Sequence, residues 1–256
     1  MTNIEMMQIA MEQSAEDIGC KPEEFLSDKN VITNFQLSAS AKKYYKLPIS
    51  GNFISYGNNV VAAAADENHD IIKEYLNKGE FYHLFETPKM HWLNEKLAPL
   101  GQTVCFMAEY FLPDTNRLKI SDIDYEIKVL EKEEFENLYL PEWSNALCAD
   151  RKNLDVLCVG AYDGEKLIGL AGCSADADKM WQIGVDVLPA YRRKGIASAI
   201  TTRLALETLD RGKVPFYCCA WSNVRSARNA IKSGFSAAWV EMTIKPIDVV
   251  QEMIDK

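Results

Sequence analysis

The chain has 256 residues, 48% of them hydrophobic and 25% charged, with 28 Lys+Arg against 37 Asp+Glu for a net charge of −9. That balance is ordinary for a soluble globular protein of one large or two smaller domains. At a pI near 5.0 it argues against a generic nucleic-acid surface. No apolar run reaches transmembrane length, so no membrane role is expected. Seven scattered cysteines, with Cys218 and Cys219 adjacent, fit the reduced thiols of a cytoplasmic protein better than a disulfide framework.

Thr2-x-x-Glu5 reads as a capping box rather than a signal peptide, opening a helix with Ile4, Met7, Met11 and Ile18 on one face. Pro22 is placed to start a short second helix. Asn52 to Tyr56 and Val60 to Ala64 read as strands around a Gly57-Asn58-Asn59 turn. Asp70 to Asn77 is predicted helical, ending near Gly79. Thr87-Pro88 reads as a cap and first-turn proline for a helix through Met90, Leu93 and Leu97. Val104 to Leu112 is a predicted strand closed by Pro113. The polar stretch Asp114 to Asp124 is the candidate linker, separating an N-terminal α/β domain (1–120) from a C-terminal one (121–256).

Beyond it come a strand from Tyr125 to Leu130, an acidic helix around Phe135 and Leu138, and a loop, Leu140 to Asn145, entering a short helix. Asp155 to Tyr162 and Lys166 to Ser174 form a hairpin at Asp163-Gly164, and Met180 to Leu188 follows as a third antiparallel strand. Then come helix (Ile196 to Arg211), strand (Val214 to Trp221), helix (Val224 to Ser233) and strand (Ala237 to Lys245).

The stretch Val185 to Ala197 carries the most chemistry. Ile183, Val185 and Val187 alternate along a strand that Pro189 ends, since proline cannot donate to a ladder. After Arg192-Arg193-Lys194-Gly195, residues Ile196, Ala199, Ile200 and Leu204 recur at helical spacing. A helix start leaves backbone N–H groups unpaired and carries the positive end of the dipole. Gly195 lets a phosphate approach that backbone closely. From Arg192 to Lys232 nine basic residues face only Glu207 and Asp210, a local +7 in an acidic chain. Together these features favour a bound pyrophosphate over a merely solvated basic face.

Arg192-x-x-Gly195-x-Ala197, the preceding Val-x-Val-x-Pro and the downstream Asn223…Gly234-Phe235 resemble, in order and spacing, the GNAT (general N-acetyltransferase) superfamily. The resemblance covers about Asp124 to Lys245. It implies a mixed, mostly antiparallel twisted sheet flanked by helices and split between its fourth and fifth strands, an α/β (α+β) fold. The N-terminal half then reads as a separate α/β domain, or as a degenerate copy of the same unit.

The resemblance also implies acetyl-CoA as cosubstrate, with Arg192, Arg193, Lys194, Gly195, Ile196 and Ala197 at the pyrophosphate. The Val185 and Val187 backbones would hold the pantetheine arm and thioester carbonyl, and Asn223 would either hold the arm or cap its own helix. An alkyl ammonium costs about 4–5 kcal/mol to neutralise at pH 7. Asp186 on the strand and Glu142 in the acceptor loop are the candidate bases, each also readable as a structural carboxylate. The strand positions where relatives often carry a glutamate base are Trp181 and Gln182. Many relatives place an acidic tyrosine seven residues after the asparagine; here that position is Ala230, leaving Ser226 or Tyr217 to serve the leaving thiolate. Trp143 is a candidate acceptor wall.

His69, His83 and His91 have no metal-ligand spacing, so no metal is expected. The expected function is acetyl transfer to a small-molecule amine by direct attack in a ternary complex. A non-catalytic acyl-CoA sensor is the alternative, and a longer acyl group a variant of the first. A monomer and a homodimer both suit these features.

Overall fold

A computed structural model of the chain describes residues 1–36, 38–43 and 49–255. Helix α1 (Asn3–Ile18) leads into strands β1 (Val31–Asn34), β2 (Gly51–Ser55) and β3 (Val61–Ala64), then helices α2 (His69–Leu76) and α3 (Thr87–Leu97). Strands β4 (Gln102–Pro113) and β5 (Glu126–Leu130) precede the short helix α4 (Lys132–Phe135) and strands β6 (Asp155–Asp163), β7 (Lys166–Ser174) and β8 (Met180–Val187). The chain finishes with α5 (Ile196–Asp210), β9 (Val214–Ala220), α6 (Val224–Lys232), β10 (Phe235–Pro246) and α7 (Ile247–Ile254). The fold is the expected mixed α/β class, with mostly antiparallel pairing and flanking helices. No helix among the described residues is long and apolar enough to cross a membrane.

The chain forms two compact units: Met1–Ile9 with Tyr110–Ala237, and Ala10–Glu109 with Ala238–Lys256. In the first unit the strand order is β4-β9-β8-β7-β6-β5. β5 through β8 pair antiparallel in sequence, and β9 joins β8 in parallel. Helix α5 lies on β6, β7 and β8. Its Ile196, Ile200 and Leu204, one apolar stripe, are buried among Val159, Ala161, Ile168 and Ile183. The polar stretch 114–124 is a loop of this unit.

In the second unit the order is β1-β3-β2-β10-β4. Phe53, Ile72, Tyr75, Leu93, Leu97, Met242 and Ile244 form its core. The Lys42 ammonium is buried there, 2.7 Å from Asp17 Oδ2 and 3.4 Å from Glu241 Oε1.

Some local expectations are corrected. The α1 capping box forms, Thr2 N donating to Glu5 and Glu5 N to Thr2 Oγ1. Its buried face, however, runs through Met6, Ala10, Met11, Ala15 and Ile18, while Ile4 is 83% exposed. Small Ala10 and Ala15 form the inward stripe, which a search for large apolar residues passes over. Thr87 is the first residue of α3, with Glu86 at the cap position and no side-chain cap bond. β1 has only four residues, and its parallel partner β3 rather than any alternation of its own makes it a strand.

Candidate functional site

The parallel pairing of β8 with β9 spans only Met180↔Val214 to Ile183↔Tyr217. Beyond Ile183, β8 continues against β7 as far as Val187, while β9 runs on to Ala220. The two strands therefore part where β7 still holds β8, and the backbone of Gly184 to Val187 on that side has no strand partner in β9. A cleft of about 620 Å³ opens there, walled by Gly184 to Val187 on one side and by Tyr217, Cys218 and Cys219 on the other.

One end of the cleft is the loop before α5. Arg193 and Gly195 both adopt left-handed backbone, φ 64° and 84°. This turn lets Gly195 occupy the cap position of α5, and the first-turn residues Ile196, Ala197 and Ser198, whose N–H groups have no partner inside the helix, line the cleft. A Cβ at Gly195 would stand 4.0 Å from the Lys232 ammonium. Arg192 Nε donates to Val187 O at 3.0 Å, fixing the end of β8.

Arg192, Arg193, Arg225, Arg228 and Lys232 all contribute to the walls. Among the described residues, Arg193, Arg225, Arg228 and Lys232 form no ion pair with a carboxylate. The other basic residues of this segment are committed elsewhere. Arg203 and Arg211 pair with Glu207, Arg211 also with Glu131, and Lys213 donates to Asp178 O. Unpaired cations beside a helix start make a strongly anion-attracting seat.

Deeper in the cleft, Tyr217 Oη and Ser226 Oγ lie 2.8 Å apart. Burial pushes the Tyr217 phenol up, opposed by its hydrogen bonds to Ser226 and Asn229, so it stays protonated through neutral pH. Asn223 caps α6, its side chain accepting from Ser226 N at 3.2 Å. Of the two roles open to Asn223, the cap is present. Ala230, at the position where the resemblance leads one to expect a tyrosine, is fully buried.

On the far side, two carboxylates tie down the segment from residue 139 to 148, Asp186 binding within the loop and Asp155 at its two ends. Asp186 Oδ2 accepts from Asn145 N (2.8 Å) and Ala146 N (3.0 Å), and Oδ1 accepts from Asn145 Nδ2 (2.7 Å). Asp155 Oδ2 accepts from Cys148 N and from the Tyr139 hydroxyl, each at 3.0 Å. Burial is the main cause that pushes the Asp155 carboxyl up to about 6.

The cleft thus gathers Val185, Asp186, Val187, Arg192, Arg193, Gly195, Ile196, Ala197, Asn223 and Ser226. It does not gather Lys194, Glu142 or Trp143. The Lys194 ammonium donates to Tyr125 Oη (2.8 Å) and lies over the Tyr125 and Tyr191 rings. Glu142 is exposed on the turn Pro141–Trp143. Trp143, expected as an acceptor wall, is only 3% exposed and is buried with Leu130, Phe135, Leu147 and Leu170, because that turn directs its indole inward. Asn145, Gln182 and Lys232 are among the wall residues not singled out as site residues from the sequence. For Lys232 a signal existed, since Arg225, Arg228 and Lys232 follow i, i+3, i+7 on one helix face.

A family model described as GNAT acetyltransferase matches residues 102–238, just over half of the chain. No curated protein matches. Among solved structures, a GCN5-related N-acetyltransferase-like protein of Streptococcus suis is similar at 17% identity, with a TM-score of 0.50 over 93% of this chain and 99% of that one. A GNAT-family acetyltransferase of Colwellia psychrerythraea shares 16% identity, TM-score 0.44, over 62% of this chain and 63% of its own. A Salmonella typhimurium protein solved with its cofactor acetyl-CoA shares 15% identity, TM-score 0.35, over 48% of this chain and 94% of its own. The chain spans 58% to 66% of the length of the first structures it matches. The Streptococcus suis likeness extends the shared fold to almost the whole chain, and the model match lies on the strands and loop that build the cleft. The chain belongs to the GNAT acetyltransferase family.

Proposed function

We propose that the first unit binds acetyl-CoA and transfers its acetyl group to the amine of a small acceptor. The observation that carries this reading is the group of unpaired cations around the left-handed Gly195 turn, next to a strand edge without a partner. The phosphate groups of a CoA molecule match the charge, and its amide-bearing arm matches the edge. Backbone N–H groups of Gly195, Ile196 and Ala197 would hold the pyrophosphate, with Arg193, Arg225, Arg228 and Lys232 neutralising it. The Val185 and Val187 backbones would pair with the arm and polarise the thioester carbonyl.

Bound acetyl-CoA supplies a thioester whose carbonyl carbon a neutral amine attacks, forming the C–N bond as the C–S bond breaks. Tyr217 Oη would donate a proton to the departing sulfur, and the proton that the amine nitrogen sheds on becoming an amide would return to Tyr217 through Ser226 Oγ, 2.8 Å away. The strand tyrosine would thereby take the role that Ala230 cannot. A thiol of pKa about 8.5 leaves readily, so this acid adds to the rate without being indispensable.

The buried Ala230 favours a second reading, an acyl-CoA sensor without turnover. Thiol release from acetyl-CoA in the presence of primary amines separates the two. Amine-dependent release with acetylated product supports the enzyme. Tight binding without release under any amine supports the sensor.

A further inference from the structure

Strand β8 presents Gln182, Gly184 and Asp186 on one face. Gly184 and its cross-strand partner Gly172 have no side chains. A Cβ on Gly184 would come within 1.8 Å of Asn145 O, and one on Gly172 within 2.1 Å of Ala146 O. The loop backbone therefore rests directly on this glycine pair, and Asp186 clamps it there through three hydrogen bonds.

The clamp determines the orientation of one amide. An amide oxygen turned toward a carboxylate would repel it, so Asn145 points Nδ2 at Asp186. Its Oδ1 is left without a hydrogen-bond partner among the described residues, on an exposed residue that lines the cleft, as Gln182 also does. The cleft thus gathers cations around the Gly195 turn and, where the loop rests on β8, an acceptor with no protein donor, backed by a carboxylate.

We propose that Asn145 Oδ1, oriented and polarised by Asp186, is the subsite that receives the acceptor as a cationic primary amine. An ammonium offers three donors and no acceptor, which suits a carbonyl oxygen with negative charge behind it. A neutral alcohol gains only the hydrogen bond. Asp186 already accepts three N–H donors, so it is a positioning residue that acts through Asn145. The subsite rests on the acetyl-CoA reading.

The test is calorimetric titration with acetyl-CoA, then thiol release with phenethylamine and cadaverine, with 2-phenylethanol as the uncharged control. Amine binding to CoA-saturated protein is measured in parallel on the wild type, Asn145→Ala and Asp186→Asn. Both variants should keep acetyl-CoA affinity within about twofold and weaken amine binding and KM by about tenfold or more, with a smaller change in kcat. Asp186→Asn should retain the shape of the pH–rate profile.

Unchanged amine KM in Asn145→Ala overturns the subsite, as does a preference for the alcohol. Binding of acetyl-CoA with no release under either amine also overturns it. Loss of the ascending pH limb in Asp186→Asn would make Asp186 the base instead. Failure of the wild type to bind acetyl-CoA overturns the cofactor reading and this subsite with it. Because Asn145→Ala leaves Asp186 holding the loop through two backbone N–H groups, it remains informative even if Asp186→Asn does not fold.

Discussion

Tyr217 on β9 and Ser226 in the first turn of α6 meet at 2.8 Å, so a strand and the helix that follows it place two hydroxyls at one point of the cleft. Ser226 N is simultaneously held by the Asn223 cap, which fixes the turn that presents the hydroxyl. Tyr217→Phe should keep acetyl-CoA affinity and slow thiol release by about tenfold to a hundredfold. Single-turnover measurements at saturating acetyl-CoA check this. An unchanged rate would remove Tyr217 from proton transfer.

The Gly195 turn gives a second prediction. The space above it is open, with Ile123 Cγ2 3.6 Å and Lys232 Nζ 4.0 Å from a Cβ, yet its φ of 84° strains any side chain by about 1–2 kcal/mol. Gly195→Glu should also put a carboxylate in the phosphate seat and pair it with Lys232. Acetyl-CoA affinity should fall by about a hundredfold or more, while the circular dichroism spectrum stays native. Gly195→Ala should lose less, and retained affinity in the glutamate variant would contradict the seat.

Asp155 gives a pH dependence with a defined sign. Its carboxyl sits at about 6 in the folded protein against an ordinary 3.8. The folded state therefore holds the proton more tightly than the unfolded chain. Its contribution to stability is largest at low pH and declines as pH rises through about 6. The melting temperature of the wild type relative to Asp155→Asn should rise between pH 7 and pH 5. A difference that stays flat over that interval would contradict the assignment.

The glycine pair beneath the loop predicts a stability effect away from the phosphate seat. Gly184→Ala drives a methyl group into Asn145 O, and relief requires moving the loop off the sheet. The cost should be about 1–3 kcal/mol, visible as a lower melting temperature with acetyl-CoA affinity largely kept. Melting at the wild-type temperature would mean that the loop is not seated there.

What could be read from the sequence is what depends on near neighbours. The alternating valines of β8, the glycine opening α5, the hairpin at Asp163-Gly164 and the Asn223 cap are each specified within a few residues, and all of them form. The proposed acceptor side could not be read in this way. Asp186 and Asn145 are 41 positions apart, and nothing local marks which carboxylate a loop amide will find. Trp143 shows the opposite failure. Its loop position suggested exposure, but a single inward turn placed it in the core. On α1, Met11 and Ile18 of the expected face are buried, but Met6, Ala10 and Ala15 complete the stripe in place of Ile4, and small alanines give no hydrophobic signal that fixes its angle.

The central claim is that the cleft holds acetyl-CoA through its phosphates and arm. It is tested most directly by calorimetric titration of the whole chain with acetyl-CoA, with dephospho-coenzyme A and ATP as controls. The account predicts saturable binding that favours acetyl-CoA over both controls and weakens as salt is raised. Absence of binding at millimolar acetyl-CoA, or equal affinity for ATP, would contradict it.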